Sequence, residues 1–270
     1  MEYRKLGNLD VSVIGLGTLR AFDVTDEADL AQRGQIIDNL LANDINFIDS
    51  AAMYGAAEAA VGATIKGKRD KFYLATKVRI EGKEPGEQQI ARSFANFGVD
   101  YIDLFQVHNL IDTQTHLATL ERLKEEGKIG MIGVTAMVNE AYPEVMDIMR
   151  SGRIDTVQIP YNVVQTEVEE GVLPLAEELG IGIMVMEPLK KGRYVKELKG
   201  EPDLAPLKEF GIKTWAQALL SWVVSNPQVS ITIPATSRPE RIQENALAGN
   251  LGTMPQELRD YVREETLRLL

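Results

Sequence analysis

Residues 72–134 read FYLATKVRIEGKEPGEQQIARSFANFGVDYIDLFQVHNLIDTQTHLATLERLKEEGKIGMIGV. Three short apolar or β-branched runs, Phe72–Thr76, Ile102–Val107 and Ile129–Val134, alternate with two longer amphipathic stretches, Gly86–Phe97 and Leu117–Glu126. The short runs predict strands, the long ones predict helices, and Gly127 stops the second helix. Strands joined through helices run parallel. The alternation continues upstream, with strand Val13–Leu16, helix Glu27–Asn43, strand Asn46–Asp49 and helix Ala57–Lys66. In the first of these helices Leu30, Ile36, Ile37, Leu40 and Leu41 fall near helical spacing. Downstream, a helix near Glu140–Arg150 precedes strand Thr156–Ile159 and helix Val172–Leu179, which Gly180 stops. Strand Ile183–Met186, helix Thr214–Val224, strand Ser230–Pro234 and helix Pro239–Ala248 follow, and helix Pro255–Leu270 comes last.

Eight strand–helix units at a spacing of roughly 30 residues predict an α/β chain folded as a closed (β/α)8 barrel, the TIM-barrel architecture, as one domain over residues 1–270. An open doubly-wound sheet is the rival, but it usually needs fewer strands. Gly15-Leu16-Gly17-Thr18 also lacks the third glycine of a dinucleotide fingerprint. Tyr3–Val11, with Gly7-Asn8 at its centre, reads as a hairpin that could plug the barrel floor. Glu187–Ile212 is the longest irregular stretch, and long loops in compact domains are usually functional or mobile.

The 270 residues carry 29 Lys+Arg against 40 Asp+Glu, a net charge of −11, with 44% hydrophobic residues. That acidity argues against a nucleic-acid partner, which needs a basic surface. The absence of cysteine excludes thiolate nucleophiles, zinc–thiolate centres and Fe–S clusters. No apolar run of about 18 residues predicts a membrane span, and the charged N-terminus does not read as a signal peptide. A cytoplasmic protein, monomeric and acting on a small molecule, is expected.

A barrel's active site lies at the C-terminal ends of its strands. There the sequence places Asp49 after the second strand with Tyr54 in the next loop, Lys77 after the third and His108 after the fourth. Singly, each has an ordinary role: a helix cap, a solvated charge, a structural imidazole. Jointly, they suit proton transfer to a carbonyl. Tyrosine is a weak acid at neutral pH, and an ammonium from Lys77, itself oriented by Asp49, would lower its pKa. Tyr54 would then protonate a carbonyl oxygen as hydride reaches the carbon, and His108 would orient that oxygen. No metal is expected, since metal-ligand spacing is absent.

These stretches resemble the aldo-keto reductase family: Asn46-Phe47-Ile48-Asp49-Ser50-Ala51-Ala52-Met53-Tyr54-Gly55 with Glu58 and Gly62, then Thr76-Lys77, and Tyr101-Ile102-Asp103-Leu104-Phe105-Gln106-Val107-His108. The match spans essentially the whole chain. It implies a barrel transferring hydride between NAD(P)H and aldehydes or ketones, with Asp49, Tyr54, Lys77 and His108 in the four catalytic positions and Leu19, Tyr54 and His108 facing substrate. NADPH is the expected cofactor and NADH the alternative. A nicotinamide-binding sensor or accessory subunit with little turnover is the other reading.

An acidic protein that binds a multiply anionic cofactor needs local positive sites. Glu187-Pro188-Leu189-Lys190-Lys191-Gly192-Arg193 resembles the family loop over the pyrophosphate, which assigns Pro188, Leu189, Lys191 and Arg193 to it. Residues 233–245, IPATSRPERIQEN, open a helix, with Ser237 and Glu240 at capping-box spacing and Pro239 suited to a first turn. Free N–H groups there and a nearby Arg suit a phosphate. The resemblance gives Thr236, Ser237, Arg241, Glu244 and Asn245 the adenosine 2′-phosphate and adenine, and places Gly17, Thr18, Asp49, Thr135, Gln158 and Met186 against the rest of the cofactor. The chain departs from the family at Ala235 (usually Lys), Thr135-Ala136 (usually Ser-Asn), Met186 (usually aromatic) and Leu19 (usually Trp). No pocket-walling loop is read after Leu270, so an open pocket with loose specificity is expected.

Overall fold

The structure, a computed structural model, describes Met1–Leu270. An antiparallel hairpin, β1 (Tyr3–Leu6) and β2 (Leu9–Ser12), precedes eight parallel strands: β3 (Leu16–Gly17), β4 (Phe47–Asp49), β5 (Tyr73–Val78), β6 (Ile102–Val107), β7 (Ile129–Thr135), β8 (Thr156–Pro160), β9 (Gly182–Met186) and β10 (Ile231–Thr232). Each pairs with the next in chain order. The ring closes where β3 meets β10: Gly15 N–H donates to Thr232 O (2.8 Å), Thr232 N–H to Val13 O (2.9 Å) and Gly17 N–H to Pro234 O (3.2 Å). A Cβ on Gly17 would lie 2.6 Å from Ile233 O, so the seam closes only around a glycine there.

The outer layer holds α1 (Glu27–Ala42), α2 (Ala57–Thr64), α3 (Lys83–Phe97), α4 (Thr113–Glu125), α5 (Tyr142–Arg150), α6 (Val172–Leu179), the short α7 (Arg193–Lys196), α8 (Trp215–Val224), α9 (Glu240–Ala248) and α10 (Gln256–Leu269). The core is two concentric shells. One packs the outward strand faces, such as Ile48, Leu74 and Val107, against Ile37, Val61, Leu120 and other helix residues. The other fills the barrel with Phe47, Ala75, Leu104, Met131, Met184 and Ile231. Leu6 and Val11 of the hairpin belong to this inner shell, so the hairpin stoppers the floor as its sequence suggested. Arg4 secures it, donating to the carbonyls of Val224 (2.7 Å), Asn226 (3.0 Å) and Val229 (2.7 Å).

Several boundaries differ from the sequence reading. The first barrel strand is ladder-paired at Leu16–Gly17, with Ile14 adding only an isolated bridge. Helices α3 and α4 start earlier than Gly86 and Leu117. Pro85 lies in the first turn of α3, where its missing N–H forfeits no intrahelical bond. No helix is long and apolar enough to cross a membrane.

Candidate active site

Side chains alternate across a strand, so the inward set that starts with Phe47 on β4 ends with Asp49. The inward set of β5 runs through Ala75 to Lys77, and that of β6 runs through Leu104 and Gln106 to His108 just beyond the strand. Alternation thus delivers three ionisable groups to one level of the barrel mouth. Asp49 is 2% exposed and Lys77 1%. Lys77 Nζ donates to Asp49 Oδ2 and to the Ser50 carbonyl, both at 2.6 Å. Gln106 Nε2 reaches Asp49 Oδ1 at 3.4 Å and Gln158 Nε2 reaches Oδ2 at 3.5 Å, long contacts that orient the carboxylate more than they bind it. Gln106 Nε2 also donates to Gln158 Oε1 at 3.0 Å.

Tyr54 sits on the turn after β4, where Tyr54 N–H donates to Ala51 O at 2.9 Å. Lys77 Nζ lies 5.3 Å from its ring centroid, and the His108 ring meets it edge-on at 6.0 Å. The structure therefore brings Asp49, Tyr54, Lys77 and His108 together.

The electrostatics correct one expectation. Burial raises the Tyr54 pKa above its ordinary 10.0, and Lys77 offsets this only in part, so the phenol keeps its proton at neutral pH. For Lys77, burial opposes the charge most strongly, but Asp49 and Tyr54 together outweigh it and hold the ammonium above the usual lysine range. Burial, then the charges of Lys77 and Arg79, push His108 down from 6.5 to about 3. The imidazole is thus neutral, and its Nδ1 is buried without a partner.

The residues assigned to a cofactor divide into groups. Thr18 Oγ1 donates to Asp49 O (3.0 Å) and lies 2.9 Å from Ser50 Oγ, whose hydroxyl can donate to it, bracing the Asp49 strand end beside Gly17. Thr135 Oγ1 accepts from Asn109 N–H (2.9 Å) and donates to Asn109 Oδ1 (3.2 Å). Met186 tops β9, and Pro188, two residues on, is buried. Lys190 and Lys191 both bind Glu187, at 2.7 and 2.9 Å, and the charge of Lys191 also bears on Tyr54. Arg193 instead pairs with Glu197 (2.9 Å) on the exposed surface at α7.

The capping box expected at Ser237 and Glu240 does not form. Pro239 already has helical angles (φ −55°, ψ −38°), and no side chain caps α9. Thr236 Oγ1 accepts the Arg238 N–H (3.1 Å) instead. Arg241 and Ile242 spend their N–H groups on Arg238 O (3.1 Å) and Pro239 O (3.2 Å), leaving fewer free donors than expected. Arg241 Nη1 donates to Glu244 Oε2 at 2.5 Å, and Asn245 is buried in the same helix.

The sequence model described as "Aldo/keto reductase family" matches residues 13–264. The chain belongs to the aldo/keto reductase family. Aldo-keto reductase YhdN of Bacillus subtilis is 32% identical over 225 residues, covering 74% of this chain and 66% of that protein. Methylglyoxal reductase YeaE of Escherichia coli is 26% identical, over 89% of this chain and 86% of its own. Among solved structures, an aldo-keto reductase from Klebsiella pneumoniae in complex with NADPH superposes with a TM-score of 0.83 at 26% identity, covering 98% of this chain and 96% of that one.

Two of the residues that carried the family resemblance are architectural. Glu58, 2% exposed, accepts from Thr76 Oγ1 (2.5 Å) and Asn96 Nδ2 (3.2 Å), tying α2 to β5 and α3. At Gly62 a Cβ would lie 2.5 Å from Asn96 O, so glycine lets α2 press onto the end of α3. Sequence reasoning missed Gln106, although it shares inward parity with His108. It also missed the contacts of Ser50 and Asn109, and the hold of Glu187 on two lysines, for which the sequence offered only i, i+3 and i, i+4 spacing.

Proposed function

We propose that this aldo/keto reductase is an NADP(H)-dependent carbonyl reductase in which Tyr54 is the proton donor. The observation that carries the reading is the buried Lys77–Asp49 pair beneath a neutral tyrosine, with a neutral imidazole at its edge. The residues present suit the cofactor. Arg241 and the turn at Thr236–Arg238 offer cationic and hydrogen-bonding groups, Lys190 and Lys191 supply charge near the mouth, and the barrel rim holds hydroxyl and amide groups at Thr135 and Gln158. The NADPH complex of the Klebsiella relative supports the choice. When bound, the nicotinamide supplies the hydride that reaches the carbonyl carbon. Tyr54 gives its hydroxyl proton to the carbonyl oxygen, Lys77 stabilises the phenolate left behind, and Asp49 keeps Lys77 charged and aimed. His108, neutral, can donate a hydrogen bond to the same oxygen without competing for the proton.

Turnover of methylglyoxal, chosen because the Escherichia coli relative is named for it, tests the reading. Sustained multiple turnovers with NADPH are expected, whereas cofactor binding with almost no turnover would mark a nicotinamide sensor. Arg241→Ala should weaken NADPH by roughly 1.5–3 kcal/mol, the scale of a charged hydrogen bond, and NADH much less. Part of the loss arises because Glu244 is left facing the phosphate unpaired. Calorimetry with both cofactors decides it, and equal losses would show that Arg241 does not read the 2′-phosphate.

The depressed His108 has a stability signature. Between 6.5 and about 3 the unfolded chain takes up a proton there that the folded chain refuses, so stability falls as pH drops through that window. In His108→Gln this contribution is absent. The urea midpoint should then change less between pH 6.5 and 4.5 than in the parent, and an unchanged slope would place the acid sensitivity elsewhere.

A further inference from the structure

Arg20, Arg79, Arg92, Arg238 and Arg263 are the arginines that form no ion pair with a carboxylate. Four are solvent-exposed, as unpaired charges normally are, and Arg79 is half-buried. Its place is specific. It follows β5 by one residue and continues the inward parity of Ala75 and Lys77, one level above the ammonium. Its backbone is fixed, since Arg79 N–H donates to Gln89 Oε1 at 2.7 Å. Its guanidinium reaches the neighbouring turn after β4 at Met53, next to Tyr54, with Nη1 3.2 Å from the thioether sulfur. Its charge is also felt at His108. A guanidinium carries five donors in a rigid fork, and a thioether is a weak acceptor for one of them. Every other charge in this cluster has a counter-charge or carbonyl: Lys77 has Asp49 and Ser50, and Lys190 and Lys191 have Glu187.

The unfilled fork is not placed to hold the cofactor phosphates. In the eight-stranded ring β5 stands opposite β9, which leads into the lysine loop, and it is three strands from β10, which leads into α9. On the β5 side lie Tyr54 and His108, the groups that would hold the reacting carbonyl.

We infer that Arg79 is a specificity-determining residue that anchors an oxyanion on the substrate, a carboxylate or phosphate a few bonds from the carbonyl, so that the preferred substrates are anionic aldehydes or ketones. This rests on the carbonyl-reductase reading. Bidentate pairing would turn the substrate so that its carbonyl points at Tyr54. In a protein of net charge −11, one unpaired cation at the mouth also draws an anion that the rest of the surface repels.

The test compares kcat/KM, with NADPH saturating, for 4-oxobutanoate against methyl 4-oxobutanoate and for glyceraldehyde 3-phosphate against glyceraldehyde. The parent should favour at least one anion over its neutral partner by about tenfold or more, the scale of one charged hydrogen bond. Which pair shows it tells carboxylate from phosphate. In Arg79→Gln that ratio should collapse towards one, chiefly through KM, while Arg79→Lys should retain part of it. Neutral substrates reduced with no anion advantage in the parent, or an advantage that survives in Arg79→Gln, overturns the inference and leaves the carbonyl-reductase reading intact. No reduction of any of the four overturns both.

Discussion

Replacing Tyr54 with Phe should slow hydride transfer by at least about 10²-fold, the usual scale of a lost general acid, while cofactor affinity stays close to the parent's. The substitution keeps the ring, and with it the edge contact to His108 at 6.0 Å and the position over Lys77. It removes only the transferable proton. Because burial holds the phenol neutral, that proton is present throughout the physiological range. The parent's reduction rate should therefore show no loss until pH passes the ordinary tyrosine value. Single-turnover measurement with NADPH isolates the chemical step, and calorimetry measures the cofactor. A Tyr54→Phe enzyme that reduces carbonyls at the parent rate would sink the mechanism.

Lys77→Met should be the most damaging substitution to the fold as well as to the chemistry. It strands the Asp49 carboxylate, 2% exposed, with only the two long glutamine contacts. Breaking one side of a buried pair costs about 3–5 kcal/mol. Activity should fall too, because nothing then stabilises the phenolate. The pair Asp49→Asn with Lys77→Met separates the two effects. Stability should largely recover, since removing both charges together is often near neutral, and activity should not. Urea unfolding of the single and double variants checks the first half and single-turnover kinetics the second. A single variant as stable as the parent would mean that Asp49 finds another partner or takes up a proton at little cost.

The barrel was legible because parity and period were clean. Phe72–Thr76 overlaps β5, which starts one residue later and runs on to Val78, and Ile102–Val107 coincides with β6. Asp49, Lys77 and His108 were legible for the same reason: a polar residue at the top of an apolar strand announces itself. What stayed hidden depends on partners distant in sequence or on exact backbone angles. Ser237 has the right spacing to cap a helix, yet Pro239 is already helical and the turn closes on Thr236. A tyrosine next to a lysine reads as acidified until burial is weighed against the charge, and here burial wins. Arg79 drew no assignment from the sequence. Only the absence of a carboxylate around it gives it meaning, and no sequence displays an absence.

The stopper at the barrel floor has a bearing on how the chain is made. Arg4 binds carbonyls 220 to 225 residues further along. A ribosome adding about 5–20 residues per second emits the hairpin tens of seconds before its docking site emerges. Through that interval Leu6 and Val11, fully enclosed in the finished protein, have no barrel to enter. Contacts this far apart in sequence make folding slow, and the hairpin, made long before its docking site, is among the last elements to find its place. The early strand–helix units can assemble as they appear, but the barrel is sealed only when β10 has left the ribosome and met β3, making the hairpin the closing clasp of folding rather than its seed.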